Sequence, residues 1–185
     1  MGFANDMQAV VYDRNGNNYC GRLWWMLKWL GHDAVAVLDG GLQAWRAAGG
    51  ELRSGSEPSH FQTNFEPRPP LRTLVTTQQV ARALGQSGQT LIDAGGAPRY
   101  RGEVEPLDPV AGHIPGALNR PFGNNLDPEG RFKPPQQLRA EFEQLLAGRD
   151  PRGVVHQCGS GVSALPNLIA MELAGFEPTA LYTDS

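Results

Sequence analysis

Cysteine, long apolar runs and clustered basic charge are all scarce in this chain. Only two of its 185 residues are cysteines, Cys20 and Cys158, and their separation excludes a disulfide framework or a cysteine metal-ligand pair. The apolar run LWWMLKWL, residues 23–30, is too short to span a bilayer and is interrupted by Lys28. No signal-peptide pattern opens the sequence. These features predict a soluble cytoplasmic protein in a reducing compartment, with no membrane partner.

The balance of charge also limits the possible partners. The 16 basic residues are scattered among 19 acidic ones and the net charge is −3, which argues against binding to nucleic acid. His32 and His60 have no acidic or thiol neighbours that would complete a metal-ligand set. We therefore predict neither a metal site nor a cofactor.

Apolar runs rich in Val and Leu alternate with stretches of helical period. Strands are predicted near residues 9–12, 35–38, 90–92, 153–157 and 180–182. Helices are predicted over residues 19–30, 41–48, 77–84, 135–147 and about 162–174. This alternation predicts an α/β fold whose mostly parallel sheet is flanked by helices.

The stretch from Gly49 to Arg72 is rich in Gly, Ser and Pro and lacks periodicity, which is typical of a linker. We therefore expect three segments. Residues 1–50 would be the C-terminal part of a first unit, residues 51–72 the linker, and residues 73–185 a second unit without its C-terminal end.

An internal repeat supports this division. At a shift of 144 positions, Val10 and Val11 align with Val154 and Val155, and Gly31 aligns with Gly175, without a gap. In this register Cys158 aligns with Arg14, so only the second copy carries a thiol in its loop. The chain is predicted to contain two copies of one unit, with cysteine chemistry confined to the second.

Cys158 lies where a predicted strand runs into a helix. A thiol at that position faces backbone N–H groups and the positive end of the helix dipole, both of which favour the thiolate. The loop can curl around an anion because its glycines carry no Cβ atoms, and the serines can add hydroxyl donors. The predicted anion cradle consists of Gly159, Ser160, Gly161, Val162 and Ser163. A buried packing cysteine is the alternative, but it needs no glycine-rich turn.

Four stretches together resemble the tandem-domain rhodanese sulfurtransferases. They are VVHQCGSGVSA around Cys158, GHIPGALNRPF (112–122), LIDAGGAPRYRGEVEP (91–106) and LWWMLKWLGHDAVAVLDGGLQAW (23–45). The resemblance implies two rhodanese units of α/β fold, the first without the cysteine and here incomplete. It also implies transfer of a sulfane sulfur from thiosulfate or 3-mercaptopyruvate to a thiophilic acceptor through a persulfide on Cys158.

The resemblance also bears on the substrates. A small anionic sulfur donor is expected, with Arg99 binding its anionic group, and the acceptor would be cyanide or a thiol, for which a thioredoxin-like protein is one candidate. The Gly-Ser-Gly sequence after the cysteine resembles enzymes that prefer mercaptopyruvate. However, the family's second substrate-binding arginine has no counterpart near Asp108, so the choice of donor stays open.

The sequence departs from the family pattern in three further ways. Gly95 stands where the family has an arginine, in the sequence Asp93-Ala94-Gly95. Pro166 requires the helix after the loop to begin close to Ser163. The acid and histidine that mercaptopyruvate enzymes are thought to use would precede the first residue. These departures leave open a catalytically impaired remnant that binds a partner or carries persulfide.

Other readings of the loop are weaker. Cysteine phosphatases and arsenate-reductase-like enzymes end their loop with an arginine, where this chain has Ala164. A nucleotide site at Gly159 and Gly161 would lack both a third glycine and a P-loop lysine.

The remaining histidines and the tryptophans are predicted to be structural. His113 is expected to bond backbone in a tight bend, and His156 to lie in the core or to support the loop. The tryptophans are spaced like the apolar face of packed helices and are expected in the core. They are Trp24, Trp25, Trp29 and Trp45.

Overall fold

The first half of the chain forms a small parallel unit. In the computed structural model, which describes residues 2–56, 58–105 and 110–184, strand β1 pairs in parallel with strand β2. The elements of this unit are β1 (Ala9–Val11), α1 (Cys20–Trp29), β2 (Val35–Val37) and α2 (Gly41–Ala47). All four lie where the sequence predicts them, within one or two residues at each end.

The second half contains a five-stranded parallel sheet of order β3-β7-β6-β4-β5. Its elements are β3 (Thr73–Val75), α3 (Thr77–Arg82), β4 (Thr90–Asp93), α4 (Ala97–Tyr100), β5 (Leu118–Asn119), α5 (Pro135–Leu146), β6 (Val154–Gln157), α6 (Leu165–Leu173) and β7 (Ala180–Tyr182). The predicted α/β class with a parallel sheet is therefore confirmed. The strands β3 and β5 and the helix α4 were not predicted, because segments of two to four residues carry no periodicity.

Local sequence signals define several helix ends. A capping box starts α3: the Gln79 N–H donates to Thr76 Oγ1, and the Thr76 N–H donates to Gln79 Oε1 at 2.8 Å. Helix α6 begins at Leu165, later than predicted, and Pro166 lies in its first turn. The residues from Val162 to Ala164 belong to the turn that precedes the helix.

Alternate residues of β6 face opposite layers of the second unit. Val155 packs with Val80 of α3 on one face, whereas Val154 packs with Phe142 of α5 on the other. Cys158 directly follows the strand and packs in the cluster that contains Leu165 and Leu168 of α6.

The two halves share one hydrophobic cluster, because α1 packs against α6. Gly21 permits this close approach, since a Cβ atom there would lie 3.0 Å from Leu165 Cβ. Members from the first half include Val11, Trp24, Trp25, Leu27 and Val35, and those from the second include Cys158, Ala164, Leu165, Leu168, Ile169 and Leu181. The first half thus supports the helix that follows the cysteine loop.

Between α2 and β3, the described residues form no helix or strand. The end of this segment is bound to the end of α1, where the Arg68 N–H donates to Leu30 O at 2.9 Å and the Leu71 N–H donates to Lys28 O at 3.1 Å. The division into a first unit, a linker and a second unit stays a prediction.

The four tryptophans do not all lie in the core. Trp24 and Trp25 are buried as predicted, but Trp29 and Trp45 are 37% and 43% exposed, so the prediction was wrong for these two. Trp29 stacks on Trp25 near the end of α1, and Trp45 Nε1 donates to Glu51 O at 3.0 Å. Helical spacing alone cannot separate a buried ring from one that covers the rim of a core.

Candidate active site

Cys158 follows β6 directly, at the carboxyl end of a central strand. Its residue is 6% exposed, and its apolar neighbours come from the cluster between α1 and α6. The residue before it, Gln157, is paired with Asp93 of the neighbouring strand β4, and the Ala94 N–H donates to Gln157 O at 2.9 Å. In open parallel sheets this edge is where ligands bind.

The loop after Cys158 consists of two successive tight turns. The Gly161 N–H donates to Cys158 O at 3.3 Å, and the Leu165 N–H donates to Val162 O at 3.1 Å. Gly159 and Ser160 are exposed, whereas Val162 and Ser163 are half-buried. The predicted cradle residues therefore lie together in two consecutive turns that directly follow the cysteine.

Gly161 is the glycine on which the curl depends. Its φ is +70°, and a Cβ atom there would lie 2.7 Å from Thr183 Cγ2. A side chain at this position would therefore be strained and would also clash. Gly159 is not among the glycines with positive φ, so its backbone conformation does not require glycine.

A cavity of about 410 Å³ opens beside this loop. Gly159 and Gln157 line it on the side of the cysteine, Asp93 and Arg99 line it on the side of β4 and α4, and His113 belongs to its outer wall. The structure thus brings Arg99, the predicted substrate anchor, into the same cavity as Gly159 of the predicted cradle. Cys158 and the cradle residues from Ser160 to Ser163 are not among the residues that line it. The role of each residue toward a substrate stays a prediction.

Arg99 is held by a carboxylate. Its Nε donates to Glu105 Oε2 at 2.7 Å, in an ion pair whose acidic side chain is almost fully buried. This contact fixes the orientation of a guanidinium that lines the cavity. Arg101, its near neighbour, instead points to solvent and pairs with Glu103. Asp108 lies outside the described residues.

His113 has the structural role that the sequence predicts. Its Nδ1 bonds Tyr100 O at 2.7 Å, and its ring stacks on the Tyr100 ring with centroids 3.7 Å apart. Because a carbonyl oxygen only accepts, Nδ1 must carry the proton. Tyr100 is itself held by its hydroxyl, which donates to Ala117 O at 2.6 Å.

His156 lies in the interior and faces away from solvent. It is 0% exposed, and neither ring nitrogen has a hydrogen-bond partner among the described residues. Burial, with the charge of Arg120 as a smaller cause, lowers the pKa of its imidazole to about 3. The ring is therefore neutral at pH 7, as expected for a core histidine.

Cys20 differs from Cys158 in its surroundings. It begins α1, and burial together with the nearby Asp13 carboxylate raises the pKa of its thiol to about 12. Cys20 is therefore a thiol, not a thiolate, at neutral pH, and it is a poor nucleophile.

Sequence reasoning missed two residues of the cavity, Asp93 and Glu105. The sequence does offer a signal for Asp93, because a polar residue at the end of a buried parallel strand lies at the edge of the sheet where ligands bind.

Across the described ranges, no helix is long and apolar enough to cross a membrane, and no cluster of His, Cys, Asp or Glu could hold a metal ion.

Comparisons with known proteins agree with this geometry. The model of the rhodanese-like domain family matches residues 2–48, in the half of the chain without the loop cysteine. The chain is 48% identical, over its whole length, to a probable 3-mercaptopyruvate sulfurtransferase of Pseudomonas aeruginosa, of which it covers 65%. It is 35% identical to the thiosulfate sulfurtransferase of Bos taurus, of which it covers 63%.

A solved structure is also similar over the entire chain. The Escherichia coli protein SseA, described as a 3-mercaptopyruvate sulfotransferase with the rhodanese fold, superposes with a TM-score of 0.80 at 31% identity. The match covers 100% of this chain and 68% of that one. The chain spans somewhat less than two thirds of the length of the curated relatives named above.

Proposed function

Because this chain belongs to the rhodanese family of sulfurtransferases, we propose that it transfers a sulfane sulfur through a persulfide on Cys158. A donor such as thiosulfate or 3-mercaptopyruvate supplies the sulfur, and a thiophilic acceptor, cyanide or a thiol, removes it. A thioredoxin-like protein is a candidate physiological acceptor. We place the reaction in the cytoplasm, where Cys158 stays reduced between turnovers.

One observation carries the proposal. The cysteine at the carboxyl end of β6 is followed by an exposed, glycine-containing turn that borders a cavity in which an arginine side chain is oriented. A donor whose anionic group contacts Arg99 can place its sulfur toward the loop. The Cys158 thiolate attacks the outer sulfur of thiosulfate, and the S–S bond breaks to release sulfite. With 3-mercaptopyruvate it attacks the thiol sulfur, and the C–S bond breaks to release the enolate of pyruvate, which takes up a proton.

The loop residues have a separate role after this first step. The persulfide adds one sulfur atom to the side chain, and the exposed turn at Gly159 and Ser160 leaves room for it. Backbone N–H groups of such a turn stabilise an anionic terminal sulfur. The acceptor then attacks this outer sulfur and regenerates Cys158, which is a ping-pong sequence.

The test is the intact mass of the purified chain after separate exposure to thiosulfate and to 3-mercaptopyruvate. One added sulfur atom on the wild type and on Cys20→Ser, but not on Cys158→Ser, is the expected result. The donor that produces the adduct identifies the preferred substrate. If a folded wild-type sample acquires no sulfur from either donor, the proposal is wrong.

A steady-state assay with cyanide or a thiol then separates an enzyme from a persulfide carrier. Repeated release of product supports the enzyme. A single sulfur equivalent that stays on Cys158 would instead support the impaired module that the sequence left as an alternative.

A further inference from the structure

Asp93 ends β4 with a carboxylate that has few partners. The residue is only 8% exposed and lines the cavity beside the cysteine loop. The Gly95 N–H donates to its Oδ1 at 2.7 Å. Within residues 2–56, 58–105 and 110–184, its other oxygen has no hydrogen-bond partner and no cation pairs with it. Because the Asp93 side chain lines the cavity, this oxygen is available to a positively charged ligand group there.

The position of Asp93 relative to the nucleophile is set by strand pairing. Asp93 lies opposite Gln157 in the parallel ladder, one residue before Cys158. Gly95 keeps the space beside the carboxylate open, since a Cβ atom there would lie 2.9 Å from Asp93 Oδ1. Gly159, the residue after the cysteine, lines the cavity together with Asp93, whereas Cys158 is 6% exposed and packs in the cluster between α1 and α6. A ligand that reaches the Cys158 sulfur from this cavity passes Gly159 and brings its adjoining atoms toward this acid.

The charged side chains of Asp93, Arg99 and Glu105 line the cavity. Arg99 supplies the positive group and is oriented by Glu105, while Asp93 supplies a negative group nearer to the cysteine loop. A dianion that approaches Cys158 meets the Asp93 carboxylate, which costs free energy. A ligand with a carboxylate and an ammonium group meets complementary charge at both ends.

We propose that Asp93 is a specificity-determining residue that binds the ammonium group of a zwitterionic sulfur donor, an amino-acid persulfide such as cysteine persulfide. The donor's carboxylate lies toward Arg99. This inference rests on the proposed function of Cys158 and adds a subsite to it.

The transfer step balances without an oxidant or reductant. The Cys158 thiolate attacks the terminal sulfur of R–S–SH, a new sulfur–sulfur bond forms on Cys158, and the bond between the donor's two sulfurs breaks. The enzyme then carries –S–SH, and the amino acid leaves as its thiolate RS⁻. The proton stays on the transferred sulfur, or dissociates from it into solvent.

The test compares two donors that differ at the amino group, which is a free ammonium in cysteine persulfide and an uncharged acetamide in N-acetylcysteine persulfide. The rate of sulfur addition to Cys158 is followed by intact mass at limiting donor concentration. In the wild type we expect the donor with the free ammonium to react about tenfold faster, as befits one charge-assisted contact. Equal rates in the wild type would overturn the proposal.

Two variants locate the effect at Asp93. In Asp93→Asn the ratio of the two rates should fall to about one, since the amide carries no charge. In Gly95→Arg the introduced cation lies beside Asp93 and should likewise remove the preference, while thiosulfate should react faster than in the wild type. The matched control is Glu103→Gln, an exposed acid outside the cavity, which should keep the wild-type ratio. A preference that persists in Asp93→Asn would contradict the assignment.

A binding measurement separates this subsite from the sulfur chemistry. In Cys158→Ser, S-methylcysteine should bind more tightly than N-acetyl-S-methylcysteine in calorimetry, and Asp93→Asn in that background should remove the difference. If Cys158 acquires sulfur from thiosulfate or 3-mercaptopyruvate but the two probes bind alike, the subsite is wrong and the proposed function stands. If Cys158 acquires sulfur from no donor, both are wrong. Thermal unfolding of each variant shows that it is folded.

Discussion

The loop after β1 and the loop after β6 are two versions of one structure. Each follows a strand and leads into a helix, and each has a left-handed residue at the same position of the repeat, Asn17 at φ +60° and Gly161 at φ +70°. The first loop has a second left-handed residue, Gly16 at φ +65°, where the second loop has Ser160. The strand pairing differs slightly, since Val11 pairs with Val37 whereas its counterpart Val155 pairs with Ala180. The units therefore share a backbone plan, with a shift of one residue in register.

The contents of the two loops differ. In the first loop the Asp13 carboxylate accepts four backbone N–H groups, those of Asn15 and Asn17 on Oδ1 and those of Tyr19 and Cys20 on Oδ2. Burial opposes the ionised form, but these hydrogen bonds outweigh it, and the pKa of Asp13 is lowered. The first loop is thus an anion site that is filled by its own side chain.

In the second loop that internal anion is missing. Gln157 aligns with Asp13, and the residue after it is the cysteine instead of Arg14. A loop of this shape can therefore accept the sulfur of Cys158 or the anionic end of a persulfide. The shape of the loop is therefore a property of the repeat. Its chemistry depends on whether the Asp13 carboxylate or the Cys158 sulfur supplies the negatively charged atom.

The largest expected effect comes from exchanging each cysteine. Cys158→Ser should reduce sulfur transfer to the uncatalysed rate, because a hydroxyl at neutral pH does not replace a thiolate. Cys20→Ser should keep the wild-type rate, since the Cys20 thiol is buried and protonated. The rate at which each variant forms thiocyanate from thiosulfate and cyanide measures its sulfur transfer. Equal loss in the two variants would overturn the assignment of chemistry to the second loop.

A smaller effect is expected from Arg99, the arginine of the cavity beside the second loop. Arg99→Ala should raise KM for an anionic donor by about 10- to 100-fold, the value of one charge-assisted hydrogen bond. Arg101→Ala, which removes an exposed cation two residues away, should change KM less than about twofold. Steady-state kinetics of both variants would show whether the cavity is the donor site; similar KM values would exclude Arg99 from it.

The backbone of the second loop can be tested at Gly161. Gly161→Ala combines a positive φ with a close contact to Thr183, and it should lower the free energy of unfolding by about 1–3 kcal/mol. Gly123→Ala is the matched control, because a Cβ atom there meets nothing within 4 Å. We expect the control to stay within about 0.5 kcal/mol of the wild type in urea unfolding. A tolerated Gly161→Ala would mean that the loop relaxes around a side chain.

The smallest effect is expected from emptying the first loop. Asp13→Asn removes the charge that its four N–H groups share, and it should lower the free energy of unfolding by about 1–2 kcal/mol at pH 7, a modest value because solvent screens the site. Urea unfolding across a pH series measures it.

The pH dependence follows from the sign of the shift at Asp13. The folded-state pKa is lowered, so the ionised carboxylate stabilises the fold above its unfolded pKa, about 4, and that contribution is lost as the pH falls toward the folded value. The difference between wild type and Asp13→Asn should therefore shrink below about pH 4. A difference that stays constant down to acid pH would show that the charge is not what holds the loop.

Much of the fold and part of the site could be predicted from the sequence for identifiable reasons. Long elements such as α1 and α5 show their period, and α3 shows its cap. The repeat identified Cys158 as the residue that distinguishes the second loop. By contrast, β3 and β5 are strands only because β7 and β4 pair with them, which no local pattern reveals.

The order of the main strands and helices, the repeat, and the position of the cysteine between a strand and a helix depend on local periodicity and residue type, so they can be predicted from the sequence alone. The cavity shared by Arg99, Asp93 and Gly159 depends on strand pairing and helix packing, which bring together residues that lie far apart along the chain. The requirement for glycine at Gly161 likewise depends on the tertiary structure, since the clash involves Thr183 at the end of another strand.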